Sequence, residues 1–225
     1  MKLLFFDMEF ANGKVTGSIY SIGYLVTDES FRVLVPPTDL LISPECAWNS
    51  YVEEHILAYP KEDVEAAPNF PSRYEQLSRL FSDADVAVGF SLGNDTRALK
   101  SDCERYGLSP LDFRTFDLER LCKQMDEHRE AHGLAGYVKA WYGETPDNQH
   151  RSDGDAYATM MLLRAVCGQK HVTPEMLMEA YPSCVSRSLT QDKKKARKVK
   201  HRYGKKRSRS GKSKPKEAVA SSKDV

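Results

Sequence analysis

The sequence predicts an α/β fold in which a mixed five-stranded β-sheet is flanked by α-helices. Three features of the 225-residue chain point there. Short apolar runs of strand length come first, helical periodicities alternate with the later runs, and turn residues punctuate both. Leu3–Asp7 is a brief apolar run suited to a buried strand. Ser18–Thr27 and Phe31–Val35 read as a hairpin through Asp28-Glu29-Ser30, closed by Pro36-Pro37. Val86–Phe90 and Phe113–Phe116 are further strands. Helical spacing appears over Ser72–Ser82, Thr96–Tyr106, Leu118–Met125, Ala135–Tyr142 and Ala156–Val166, with a last helix over Pro174–Tyr181. Ile42–Phe70, with Pro44, Pro60 and Pro68, is expected to be a long connection with little regular structure.

Composition excludes several classes. With 40% hydrophobic and 29% charged residues the chain is globular rather than disordered. No segment has the length of a transmembrane helix, and Asp7 and Glu9 end the first apolar run too early for a signal peptide. The five cysteines, Cys46, Cys103, Cys122, Cys167 and Cys184, are scattered without zinc spacing, as expected of reduced thiols in a cytoplasmic protein. The net charge of +1 hides an asymmetry. Residues 186–225 hold 16 Lys and Arg against 3 Asp and Glu, a charge of +13, while residues 1–185 hold 17 against 29, a charge of −12. The expected organisation is therefore a folded, acidic domain over 1–185 and a basic, disordered tail over 186–225.

Three pieces of sequence carry the chemistry. Asp7 and Glu9 are two residues apart on a strand, so their side chains share a face. Two carboxylates there need solvent or a hard cation such as Mg²⁺ or Mn²⁺, although a bare D-x-E is also a common polar strand end. Asp95 follows the Val86–Phe90 strand where a helix begins, a position that suits both an N-cap and a ligand site at a strand's carboxyl end. His150 precedes Asp155 by five residues in a loop, ahead of an apolar helix. A loop histidine titrates near neutrality and can serve as a base, or can be an ordinary surface residue beside a capped helix.

Order and spacing together resemble the DEDDh 3′–5′ exonucleases, the family of the proofreading subunits of bacterial replicative polymerases, ribonuclease T and oligoribonuclease. Phe6-Asp7-Met8-Glu9 is similar to the first motif, Asp95 to the Asp of the second, and His150-Arg151 through Asp155-Ala156, with Ala158-Thr159, to the third. Phe116-Asp117-Leu118 resembles the family's intervening strand and helix start, and the resemblance spans about Met1–Cys167. It implies an RNase H-like fold and two divalent cations, Mg²⁺ or Mn²⁺. It also implies roles for single residues: Asp7 bridging the cations, Glu9 and Asp155 completing the nucleophile's site, Asp95 acting on the second cation, and His150 taking the proton. The activity implied is release of nucleoside 5′-monophosphates from the 3′ end of single-stranded RNA or DNA. There are departures. Phe10 replaces a common Thr or Ser, Phe90-Ser91 replaces a His-Asn pair, and Asn94 stands where an apolar residue is usual. These positions bear on nucleotide contacts, and Phe10 is a candidate nucleic-acid contact. Asp153 competes with Asp155 for the ligand role, but only Asp155 has the family's spacing from His150. A catalytically inactive nucleic-acid-binding or partner-docking protein, and a phosphodiesterase of small dinucleotides, are the alternatives.

The tail adds Lys193-Lys194-Lys195 and Lys205-Lys206-Arg207, candidates for phosphate contact that would offset the acidic body's repulsion of nucleic acid. A merely solvated terminus and a nuclear localisation signal are the competing readings. No membrane partner is expected, and no feature determines the oligomeric state.

Overall fold

The first strand, β1 (Lys2–Phe10), is apolar on both faces because it runs through the middle of the molecule. Its alternation sorts the core into two layers. Leu3 and Phe5 pack with Leu121, Val138, Trp141 and Leu163, while Leu4, Phe6 and Met8 pack with Leu77, Phe81, Leu99 and Phe113. In the second layer the Phe6 ring meets Phe81 edge-on at 5.2 Å, and Phe81 stacks on Phe113 at 4.1 Å. Asp7 and Glu9 continue the odd-numbered face, so the alternation that buries Leu3 and Phe5 also aims both acids at the first layer's side.

This is a computed structural model that describes residues 1–13, 17–145 and 151–189. The other strands are β2 (Ile19–Asp28), β3 (Val33–Leu41), β4 (Val86–Gly89), β5 (Arg114–Asp117) and β6 (Val185–Arg187). They form one sheet of order β3-β2-β1-β4-β5-β6, six strands where five were expected. The β1–β2, β2–β3 and β5–β6 pairs are antiparallel, whereas β1–β4 and β4–β5 are parallel. The chain builds outward from β1 in one direction and then crosses to its other side for β4, so β1 and β4 flank the point where the order reverses. Helices α1 (Ser50–His55), α2 (Lys61–Glu65), α3 (Phe70–Ser82), α4 (Asp95–Arg105), α5 (Leu118–Met125), α6 (Gly133–Tyr142), α7 (Ser152–Lys170) and α8 (Pro174–Ala180) cover the sheet. None among the described residues is long and apolar enough to cross a membrane. The five cysteines are free thiols, and all but Cys46 are buried.

Three expectations need correction. Pro36-Pro37 does not close the hairpin, since β3 continues through both prolines to Leu41. β3 is an edge strand, and its register with β2 jumps from Val26↔Val35 to Tyr24↔Thr38, so the prolines lie in a bulge where their missing N–H groups break no ladder. The long connection contains α1 and α2, helices of 6 and 5 residues that are too short to show periodicity. Asn49 caps α1, and the segment packs Trp48, Val52, Leu57 and Tyr59 around buried Tyr20 as a third, small core. Helix α7 begins at Ser152 rather than near Asp155. Strand β6 begins at Val185 and ends at Arg187, and Ser188 donates from its backbone N–H to Phe113 O at 2.9 Å.

Candidate metal centre

Across the sheet, Asp7 is paired with Gly23 and Gly23 with Asp39, a row over three adjacent strands. The middle residue has no side chain, and the backbone of α7's first turn occupies that gap. A Cβ on Gly23 would lie 1.8 Å from Ser152 C and 2.0 Å from Asp153 N, so only glycine admits this approach. Seating the helix there lowers Asp155, in its first turn, onto the face that carries Asp7 and Glu9. One carboxylate oxygen from each of Asp7, Glu9 and Asp155 lies within 4.8 Å of the others.

Asp95 reaches the same edge by another route. Strand β4 is parallel to β1, so its carboxyl end points the same way, and the loop after Gly89 delivers Asp95 to the first turn of α4. Asn94, not Asp95, is the cap residue, and its side chain makes no capping bond. Asp95 is buried, at 6% exposure, and stands back from the three-acid group. Its charge is nonetheless the strongest of the neighbouring charges acting on Asp7.

Electrostatics at this edge are one-sided. Burial, then the charges of Asp95, Glu9, Asp155 and Asp39, hold the Asp7 carboxyl well above the usual carboxylate range. Burial, then Asp155, Asp95 and Asp39, push Glu9 up to about 8. Burial and Asp117 raise Asp95 to about 7. Among the described residues no Lys or Arg pairs with these three acids, and every influence on Glu9 and Asp95 raises its pKa. An all-oxygen donor set of crowded carboxylates suits Mg²⁺ or Mn²⁺, whose positive charge would replace the missing counterion.

A pH dependence follows. Carboxyls near pKa 4 in the unfolded chain and raised in the native one keep protons that the unfolded chain has lost. Their contribution to stability is complete below the unfolded value and disappears as pH climbs through the folded values of about 7 and 8. In chelator, melting should therefore fall between pH 5 and pH 8.5. Divalent cations, which compete with those protons, should raise the melting temperature by several degrees at pH 8.5 and little at pH 5, on a scale of roughly 2–4 °C per kcal/mol. Calorimetric melts at both pH values decide it, and a metal effect that is the same at each would contradict the account.

The other predicted residues fall as follows. Asp153 is engaged by Arg151, whose Nε and Nη2 donate to it at 3.1 and 3.2 Å, which leaves Asp155 as the acid facing Asp7 and Glu9. Phe10 lies on the opposite face of β1 from the acids and packs, partly exposed, against the second core layer. His150 lies outside the described residues, as do Lys193, Lys194, Lys195, Lys205, Lys206 and Arg207.

Residues outside the predicted ligand set also shape the site. Gly23 carried one usable signal, a glycine inside a strand, which marks a close approach. Asp117 at the end of β5 accepts from the backbone N–H of Arg120 and of Ser91, each at 3.2 Å. It thereby pins Ser91 at φ +65 in the loop that leads to Asp95. Asp39, Ser21, Ser152 and Tyr59 form a hydrogen-bonded group beside the acids, and nothing in their spacing announces it.

The mixed sheet, the reversal of strand order beside β1 and the helices on both faces make this an RNase H-like fold of the exonuclease type. In fold the chain is similar to E. coli exonuclease I in complex with a dA16 oligonucleotide, with TM-score 0.65 and 16% identity over 81% of this chain and 43% of that one. It is similar to the zinc-ion-bound E. coli exonuclease I complex with ssDNA at TM-score 0.66 and 17% identity, over 81% of this chain and 43% of that one. A third similar structure is cell-death related nuclease 4 (CRN-4), at TM-score 0.58 and 13% identity, over 75% of this chain and 64% of that one. This chain thus spans less than half the length of exonuclease I. No protein-family model and no curated protein matches the sequence.

Proposed function

We propose that this protein is a metal-dependent exonuclease that removes nucleoside 5′-monophosphates from the 3′ end of single-stranded nucleic acid. The observation that carries the reading is the convergence of Asp7, Glu9 and Asp155 within 4.8 Å, with Asp95, in the first turn of α4, near enough for its charge to act on Asp7. Divalent cations, when bound there, supply Lewis-acid charge and make water more acidic at neutral pH. Asp7, Glu9 and Asp155 would hold one such ion and Asp95, with Asp7, would serve a second, while His150 would take a proton from the attacking water. Support for a single-stranded substrate comes from exonuclease I, whose structures hold a dA16 oligonucleotide and ssDNA.

The test is a time course on matched 5′-labelled RNA and DNA, single- and double-stranded, with Mg²⁺, Mn²⁺ or chelator. The reading predicts a ladder that shortens from the 3′ end with metal and not with chelator. Binding without cleavage would instead favour the inactive nucleic-acid-binding alternative. Cleavage confined to dinucleotides would favour the small-substrate phosphodiesterase.

The basic tail belongs to the same proposal as a cationic arm that gathers substrate. Because Ser188 is still bonded to Phe113, the truncation that keeps the sheet whole falls after Leu189. Its removal should weaken binding, flatten the dependence of affinity on salt and leave turnover at saturation nearly unchanged. Binding isotherms at two salt concentrations check this, and lost turnover at saturation would contradict a purely electrostatic arm.

A further inference from the structure

We infer that Asp39 is a positioning residue for the metal centre, fixing the first turn of α7 and thereby the carboxylate of Asp155. The inference rests on the exonuclease reading above. Asp39 Oδ1 accepts from Ser152 Oγ at 2.9 Å and from the Ser21 hydroxyl, and Oδ2 accepts from the Tyr59 hydroxyl. The two serine hydroxyls also lie against each other, and both serines are fully buried. One carboxylate thus gathers a hydroxyl from β2, one from α7 and one from the segment between α1 and α2. The Arg151 guanidinium, next to Ser152, lies 5.2 Å above the Tyr59 ring and adds a second tie to the same segment.

Direct ligation by Asp39 does not fit the geometry. Two strand spacings separate it from Asp7 along the Asp7–Gly23–Asp39 row, about 10 Å in all, and the three-acid group does not include it. The path runs through the helix. Ser152 and Asp155 are three residues apart on α7 and so share a face, which makes any movement of Ser152 a movement of Asp155. Gly23 lets the turn come down onto the sheet, and Asp39 holds it there from the far side. Partners of this kind orient metal ligands, and their loss typically weakens metal binding by roughly 10–100-fold.

Mn²⁺ titration of the full chain by calorimetry tests the inference, with far-UV circular dichroism as the check on folding. Asp39→Asn and Ser152→Ala should each weaken Mn²⁺ binding at least about tenfold. The double variant should bind Mn²⁺ no more weakly than the poorer-binding single one, because the Ser152 hydroxyl is held through Asp39. Ser152→Ala keeps every charge and removes a single hydroxyl, so it carries the test if Asp39→Asn does not fold. Wild-type affinity in Ser152→Ala, or additive losses in the double variant, would mean that Asp39 acts by its charge alone and would overturn the inference while leaving the exonuclease reading intact. A wild-type protein that binds no Mn²⁺ would overturn both.

Discussion

Asp7→Asn is expected to fold, to lose its divalent cations and to lose exonuclease turnover by roughly a thousandfold or more, equivalent to about 4 kcal/mol of lost transition-state stabilisation. Asp7 lies at the centre of the charge cluster, pushed up by Asp95, Glu9 and Asp155 and so facing all three. Under the proposed function, a neutral amide in its place removes the carboxylate assigned to both cations while nearly preserving volume. The same substitution should make the metal-free protein more resistant to heat at pH 8, because a buried acid that resists ionisation is gone and its neighbours lose a repelling charge. Opposite signs for activity and metal-free stability separate a functional acid from a structural one. A melt in chelator well below that of the wild type would mark Asp7 as part of the scaffold instead.

Gly23→Ala should damage both stability and activity. The added Cβ would overlap the α7 backbone at Ser152 C, 1.8 Å away, and backbone cannot rotate out of the way as a side-chain end can. Either β2 or the helix terminus must shift, at a cost of about 3 kcal/mol or more. Asp155 rides on that terminus, so the acid cluster opens at the same time. Denaturant melts and Mn²⁺ affinity measured together check this: a fall in stability with unchanged metal binding would show that the helix start and the metal centre are not coupled.

What could be read in advance, and what could not, divides along physical lines. The central strands were legible because burial on both faces leaves continuous apolar runs, as in Leu3–Phe6 and Val86–Val88, and α5 matched at both ends because Asp117 caps it and its apolar face is well defined. Asp7, Glu9, Asp95 and Asp155 lie at the ends or starts of apolar elements, where each also reads as an ordinary strand-end or capping acid, and it was their order and spacing, through the resemblance to the DEDDh exonucleases, that singled them out. Asp39 did not, because Pro36 and Pro37 look like the end of a strand and only the edge position of β3 lets the strand continue past them. Gly23 was hidden for a related reason: a glycine in a strand says that something approaches, and only the fold says that it is Ser152. Strand β6, three residues long, falls below the length at which alternation can be seen, and it lies where the composition turns basic. Helices α1 and α2, at 6 and 5 residues, are invisible for the same reason.

The central claim is that four carboxylates from β1, α4 and α7 serve as one cation-binding unit. Anomalous diffraction from crystals grown with Mn²⁺ and a nucleoside 5′-monophosphate tests it most directly. The account predicts two manganese peaks, one enclosed by Asp7, Glu9 and Asp155 and the other between Asp7 and Asp95. Crystals with ordered acids and no manganese signal at this edge, or with Asp155 turned away from Asp7, would contradict it.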